Sequence, residues 1–225
     1  MRKSIVALCL IGISITLPSI ASAWHDETHL AIPRAAGYAK WYNAAGADMA
    51  RLKAGDIEGH NHFSNNPPGT SVTPNTVLNQ VKDYNQIDRD GHLYGAIIST
   101  VRNYIAEKRT GKYRQYHLAY CAHYVGDLSQ PLHNIPYNDF NKKHHIAIDR
   151  IINRDVLDNF DAIIIYPIAI TSEKDLVREV ARIANISLSL GRRIEAEKRI
   201  LTPAEAYRQI GHSASLFSAI LKYVQ

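Results

Sequence analysis

The spacing of apolar residues constrains the fold of this chain more than any other feature. From residue 24 onward, apolar residues recur every three to four positions, which is the helical period, and no internal repeat or long linker interrupts them. We therefore predict a single all-α domain over residues 24–225. The predicted helices cover about residues 28–43, 47–54, 91–108, 113–128, 141–157, 172–193 and 203–224.

Two local signals refine this prediction. Thr202 is a good N-cap and Pro203 is favoured at the first helical position, so the last helix should begin there. The segment 62–75 contains the run Asn65-Asn66-Pro67-Pro68-Gly69 and is predicted to be a surface loop. The segment 160–170 is the most apolar of this region, and we interpret it as a buried crossing between helices; an exposed apolar lip for lipid contact is the alternative.

The first 23 residues are typical of a secretory signal peptide. Arg2 and Lys3 precede an apolar stretch over residues 5–17, and small residues at 21–23 form a cleavage site. A membrane anchor is disfavoured because Pro18 interrupts the apolar span. We predict cleavage after Ala23, a mature protein that begins at Trp24, and a secreted or periplasmic location.

Charge and cysteine content exclude two classes of protein. Cleavage would remove two of the 26 basic residues and none of the 21 acidic ones, so the net charge falls from +5 to +3. This balance argues against a protein that coats nucleic acid. Only Cys121 would remain, so no intrachain disulfide can form and stability must come from packing and metal.

Pairs of histidine and aspartate indicate a metal site. His123 and Asp127 are four residues apart in a predicted helix, as are His145 and Asp149. This spacing puts each pair on one helix face, where both side chains can bind one metal ion or two adjacent ones. For a single pair, a hydrogen-bonded helix contact is the more common arrangement. A further histidine, His133, favours a metal site instead. Pro131 should end the helix, so that the chain can turn and bring His133 back towards His123 and Asp127.

The run from His123 to His133 closely matches the pattern His-[Tyr/Phe]-x-Gly-Asp-x-x-Gln-Pro-x-His. In this motif the chain resembles the zinc-dependent phospholipases C and the single-strand-specific nucleases of fungi and plants. Further matches follow in the order of that family over nearly all of residues 24–225. They are an N-terminal Trp24, His29, the run Ala47-Asp48-Met49-Ala50-Arg51, His62-Phe63, and the pair His145 and Asp149.

The resemblance implies a helical bundle with three zinc ions per chain. One zinc would take Asp48, His62, His123 and Asp127; a second His133, His145 and Asp149; a third the amino nitrogen and carbonyl oxygen of Trp24, together with His29 and Asp127. Asp127 would join the first and third zincs, and a hydroxide between these two would attack phosphorus. Asp48 and Asp127 would be the catalytic residues. The implied activity is hydrolysis of phosphoric esters.

Some of these assignments have alternatives in the sequence. Asp56 and Glu58 lie closer to His62 than Asp48 does, and His60 could replace His62. His144 lies beside His145, although only His145 has an acidic residue four positions later. The residues alone predict a multinuclear site of histidines and carboxylates. They do not decide which of these neighbouring residues are ligands.

The resemblance implies a phospholipid or a nucleic-acid phosphodiester as the substrate. Tyr124 within the motif, the lack of disulfides and the modest charge favour a phospholipase C, which would also contact a membrane surface transiently. The short interval from Trp24 to His29 and an aspartate at Asp149 favour a nuclease or nucleotidase. We expect a phospholipase C, with the nuclease as the alternative. A non-catalytic protein whose helices are held together by zinc is a further hypothesis. No protein partner is implied.

Overall fold

The computed structural model describes residues 24–225, and the predicted signal peptide lies outside the described residues. The described part of the chain is all-α and contains no β-strand, which confirms the predicted fold class. Its helices are α1 (Asp26–Ala35), α2 (Gly46–Ala54), α3 (Asp56–Gly59), α4 (Pro74–Gln80), α5 (Leu93–Thr110), α6 (Gln115–Ser129), α7 (Asp139–Asp149), α8 (Asn153–Val156), α9 (Glu173–Ala196) and α10 (Pro203–Tyr223). Short 3₁₀ turns occur at Trp41–Asn43, Val81–Asp83, Pro131–Asn134 and Phe160–Ala162.

Helix α6 is the central element of the bundle. It packs against α5, α9 and α10 as well as α1 and α2. From His117 to Ser129 almost every residue is buried, so the helix lacks a solvent face. A helix that is apolar on most sides is stable only when neighbours cover it all round. The polar residues His123 and Asp127 are therefore carried into the middle of the protein.

The chain reverses directly after α6, as the proline predicts. The helix ends at Ser129, Gln130 is extended, and Pro131 begins the 3₁₀ turn Pro131–Asn134. The side-chain oxygen of Gln130 accepts a hydrogen bond from the backbone nitrogen of Leu132 and so caps this turn. As a result, His133 returns towards the helix that it follows.

Other local predictions agree with the structure at the helix starts. Thr202 caps α10 in a capping box with Glu205, and Pro203 is the first helical residue. Ser172, for which no cap was predicted, caps α9 by accepting a hydrogen bond from the backbone of Asp175. The predicted loop over residues 62–75 is non-helical until Pro74, where α4 begins after its N-cap Thr73.

Three predictions were partly wrong. The first helix ends at Ala35 rather than residue 43, because the chain turns at Gly37, whose φ of +82° belongs to the left-handed region. The predicted helix 141–157 is broken into α7 and α8. The apolar segment 160–170 is only half buried: Ile163 and Ile170 are covered, whereas Ile164 is 62% exposed.

Within residues 24–225 no helix is both long enough and apolar enough to span a bilayer.

Candidate metal centre

Eight predicted ligand side chains converge on the C-terminal half of α6. His123 and Asp127 project from α6 itself, His29 from α1, Asp48 from α2, and His145 and Asp149 from α7. His62 lies just after α3, and His133 in the turn after α6. Seven of the eight are buried, and only Asp48 is partly exposed, with 24% of its side chain accessible. They form three groups of closely spaced ligand atoms: His29, His123 and Asp127; Asp48, His62 and His123; and His133, His145 and Asp149.

The two carboxylate oxygens of Asp127 face different histidines. Oδ1 lies 3.3 Å from Nε2 of His29, and Oδ2 lies 3.0 Å from Nδ1 of His62. Nε2 of His123 is 3.5 Å from Oδ2, on the same side as His62. The geometry thus allows Asp127 to bind one metal ion through each oxygen.

Asp48 completes the group on the Oδ2 side of Asp127. Its Oδ1 is 3.6 Å from Nε2 of His123. Four ligands arranged tetrahedrally about 2.0 to 2.1 Å from a zinc ion lie about 3.3 to 3.4 Å from one another. Three of the separations among these atoms, 3.0, 3.5 and 3.6 Å, are close to this value, and Asp48, His62 and His123 form one group of closely spaced ligand atoms.

The third group lies at the other side of the turn that follows α6. Nε2 of His133 is 3.2 Å from Nε2 of His145, which in turn is 3.5 Å from Oδ2 of Asp149. Two buried imidazole nitrogens at this distance either share one proton or bind a common cation. With a carboxylate oxygen beside them, they make a three-ligand site that leaves coordination positions open.

Neighbouring groups orient these ligands. Nδ1 of His123 is 2.9 Å from the carbonyl oxygen of Ala44, and Nδ1 of His145 is 2.6 Å from the amide oxygen of Asn141. If each Nδ1–H donates to its oxygen, each Nε2 keeps its lone pair for a metal. Gln130 donates a 2.6 Å hydrogen bond to Oδ1 of Asp149, which leaves Oδ2 for binding.

Unsatisfied atoms within the cluster indicate that the residues fit a metal ion. Buried polar atoms normally have a hydrogen-bond partner, because leaving one without a partner costs about 1 to 3 kcal/mol. Several buried atoms of this cluster have none: Nδ1 and Nε2 of His29, Nε2 of His62, Nε2 of His123, Oδ1 of Asp127 and Oδ2 of Asp149. Most of these are the atoms that the groups above would present to a cation.

Contacts among the residues of the cluster set their charges. Burial alone raises the pKa of Asp127, but His123, His133 and further histidines hold it well below its usual range. Burial, with His29 stacked 3.7 Å away, lowers the pKa of His123 to about 3. A neutral His123 and an ionised Asp127 are the forms that bind metals.

Three of the four residues that the sequence offered as alternatives lie outside the cluster. His60 is partly exposed and contacts the carbonyl oxygen of Asp56, while Asp56 itself is exposed. His144 packs its ring against Phe140. Glu58 is different, because it is buried beside His62. The structure therefore brings Asp48, His62 and His145 into the cluster and leaves Asp56, His60 and His144 outside it.

Trp24 is buried next to the cluster. Its indole Nε1 donates a 3.3 Å hydrogen bond to Oγ of Ser129, two residues beyond Asp127. The backbone nitrogen of His25 donates to the carbonyl oxygen of Asp149 at 3.3 Å. The start of the described chain is thus held between α6 and the end of α7.

Sequence reasoning did not identify the orienting groups. Asn141 precedes His145 by four residues on the same helix face, which is a detectable signal. Gln130 lies within the motif that carries the resemblance, although no role was predicted for it. The carbonyl of Ala44 left no signal, because any residue could supply it.

A cavity of about 250 Å³ adjoins the third group. Its wall combines two arginines with apolar and aromatic side chains. It is lined by Arg51, His62, Phe63, Asn65, Arg89, Leu132, His133, Ile135, Tyr137, Asn141 and His145.

Comparison of the chain with protein-family models gave no match, and comparison with curated proteins also gave none.

Gly126→Ala is expected to displace His29 and to weaken the metal site that His29 serves. A Cβ atom at Gly126 would lie 2.6 Å from Nδ1 of His29, which is closer than such contacts allow. We expect about 10- to 100-fold weaker binding of one metal ion, the range for losing a contact that orients a metal ligand. Competition with a chromophoric chelator measures this affinity. Gly46→Ala is the control, since nothing lies within 4 Å of its added Cβ. Unchanged affinity in Gly126→Ala would contradict the role of His29.

Metal binding is expected to release a proton from His62 at neutral pH. Burial lowers the pKa of His62, but its hydrogen bond to Asp127 and the nearby Glu58 raise it to about 9 in the metal-free protein. The ring must lose that proton before Nδ1 can bind a metal, so affinity should rise about tenfold per pH unit between about pH 7 and 8.5. Calorimetry in buffers of different ionisation enthalpy measures the release, and a value of zero at pH 7 would contradict this prediction.

The same shift stabilises the metal-free fold at low and neutral pH. The contribution of protonated His62 is complete below 6.5, its ordinary pKa, and is lost as the pH rises through about 9.

Proposed function

We propose that the protein is a secreted or periplasmic zinc-dependent hydrolase of phosphodiester bonds, most similar in activity to a phospholipase C, with three zinc ions per chain. The observation that carries the proposal is the placement of Asp127, whose two oxygens face separate ligands, next to a third ligand group. The resemblance of residues 123–133 to the phospholipase C and nuclease family supports the same conclusion.

Zinc bound at such a cluster would lower the pKa of a water molecule and polarise the phosphoryl oxygens. Cys121 would be a poorer nucleophile than such a water molecule, because burial raises the pKa of its thiol to about 12. Cys121 is also fully buried on α6. Hydrolysis by water is therefore favoured over a covalent intermediate on cysteine.

The residues of the chain would divide the work of binding and proton transfer. Asp48 is the only partly exposed carboxylate of the cluster, so it is placed to orient or deprotonate an attacking water. Arg51 and Arg89 line the cavity beside His133 and His145, where a guanidinium group can pair with the charged oxygens of a phosphodiester.

A lipid substrate is supported by apolar surface at the site. Leu132 and Ile135 line the cavity, and Met49 and Leu52 flank Asp48 on α2 with 62% and 68% of their surfaces exposed. Exposed apolar side chains next to a site are typical of contact with lipid or with a partner. Met49 and Leu52 would meet the acyl region of a membrane, while the buried Leu132 and Ile135 line the cavity that would hold the phosphodiester.

A single-strand nuclease is the second candidate, and the aromatic rings of the cavity favour it. Phe63 and Tyr137 line the same space as the two arginines. Bases of single-stranded nucleic acids stack on such rings, while arginines contact the backbone. The two candidates differ in which chemical group occupies the apolar part of the cavity.

A parallel assay tests the proposal. Zinc-loaded protein, freed of host hydrolases, is given phosphatidylcholine, single-stranded DNA or RNA, and a chromogenic phosphodiester. We expect hydrolysis of phosphatidylcholine that His62→Gln removes and that the matched variant His60→Gln retains, because His60 lies outside the cluster. Cleavage of nucleic acid alone would favour the nuclease. Bound zinc without any hydrolysis would identify a non-catalytic zinc protein and overturn the proposal.

A further inference from the structure

We propose that Glu58 is a positioning residue, which holds His62 in the tautomer that presents Nδ1 to the metal. The inference rests on the proposed metal centre and assigns the role of a residue that the sequence offered only as an alternative ligand. Glu58 would accept a hydrogen bond from Nε2–H of His62, which leaves the lone pair of Nδ1 for a metal.

The geometry around His62 carries this inference. Its Nδ1 lies 3.0 Å from Oδ2 of Asp127, on the side of the ligand cluster. Its Nε2, on the opposite side of the ring, is buried without a hydrogen-bond partner and lies 3.6 Å from Oε1 of Glu58. The two nitrogens of an imidazole point away from each other, so Glu58 cannot share the metal ion that Nδ1 and Asp127 would bind. A shift of several tenths of an ångström would bring Nε2–H into hydrogen-bond range.

Glu58 is itself fixed in place. The hydroxyl of Tyr124 donates a 2.5 Å hydrogen bond to Oε1, and Nδ2 of Asn61 donates a 3.0 Å bond to Oε2. Asn61 is held in turn by Asn85 and His92, at 2.8 Å each. Glu58 is only 5% exposed. Tyr124 and Asn61 thus hold the buried carboxylate of Glu58 so that it can also accept a hydrogen bond from His62.

For two other histidines of the cluster the supporting group is neutral. His123 is oriented by the carbonyl oxygen of Ala44, and His145 by the amide oxygen of Asn141. A carboxylate also strengthens the donor nitrogen, because it stabilises positive charge on the ring. Glu58 would therefore both set the tautomer of His62 and increase its affinity for metal.

The test compares Glu58→Gln and Glu58→Ala with Glu107→Gln. Glu107 is the matched control, since its Oε2 lies 3.1 Å from Nε2 of His117 and its Oε1 accepts from Tyr116, outside the metal cluster. Zinc affinity is measured by chelator competition, and nitrogen-15 NMR of the histidine rings reports which nitrogen of His62 carries the proton.

We expect about 10- to 100-fold weaker binding of one zinc in both Glu58 variants, with the same number of zincs at saturation and no change in Glu107→Gln. In the wild-type protein Nε2 of His62 should be protonated and Nδ1 metal-bound, and this pattern should weaken in Glu58→Ala, which removes the acceptor, more than in Glu58→Gln, which keeps an amide oxygen. The NMR readout separates positioning from a general loss of stability, which would not alter one ring selectively.

Three results would overturn the inference. Wild-type affinity and an unchanged His62 spectrum in the variants would show that Glu58 has no such role. Permanent loss of one zinc at saturation would make Glu58 a ligand. Absence of zinc from the wild-type protein would overturn the proposed metal centre as well, so the two failures are distinguishable.

Discussion

Asp127→Asn is expected to reduce phosphodiester hydrolysis by at least about a thousandfold, the largest effect of any single substitution. Asp127 is fully buried, and its two oxygens face the His29 group and the His62 group. Asparagine keeps the shape but replaces one oxygen by an NH₂ group, which cannot bind a metal. Metal analysis should therefore show the loss of up to two zincs, alongside the loss of turnover.

A control variant separates this effect from a general change of charge. Asp161→Asn removes an exposed carboxylate in the 3₁₀ turn Phe160–Ala162 and should leave zinc content and turnover unchanged. Asp127→Asn that kept all its zinc and its activity would show that the carboxylate does not join two metal ions. The free energy of unfolding of both metal-free variants provides the check on folding.

A single extra residue before Trp24 is expected to remove one zinc and to lower activity by at least about a hundredfold. The amino nitrogen of Trp24, which the resemblance assigns as a ligand, would become an amide nitrogen. Its lone pair would then be delocalised into the carbonyl group and would have little affinity for metal. The buried indole of Trp24 and its bond to Ser129 leave little room for adjustment.

The comparison protein for this experiment is the same chain processed so that Trp24 carries a free amine. Zinc content and turnover of the two forms are measured side by side, at equal protein concentration and with excess zinc. Full zinc content and full activity in the extended form would refute the role of the Trp24 amine. A loss confined to activity would instead indicate that the extra residue obstructs the cavity.

Much of the fold could be predicted because its signals are local. The helical period of apolar residues, the Thr202 cap and the break at Pro131 each act over a few residues, and the structure agrees with all three. The errors arose where local preference was overridden. Residues 36–43 have helical spacing, yet the turn at Gly37 ends α1.

Ligand pairs within one helix were predictable because their spacing is a local signal. Contacts between ligands on different helices were not. The spacing of four residues put His123 with Asp127 and His145 with Asp149, as found. The separation of Asp48 from His62 resembles the family pattern more than that of Asp56 does. Spacing could not predict contact with His123, however, because both aspartates lie far along the chain from it. Packing of α2 against α6 brings Asp48 to His123, whereas Asp56 remains exposed.

The sequence by itself determined the helical class, the helix ends at Pro131 and Thr202, and the paired ligands on α6 and α7. These depend on backbone geometry and on neighbours within one or two turns, which any stretch of chain contains. Only the tertiary structure decided that the ligand groups meet around Asp127, that His62 rather than His60 joins them, and that Glu58 lies behind His62. Contacts between distant segments depend on how whole helices pack, and no short pattern encodes that.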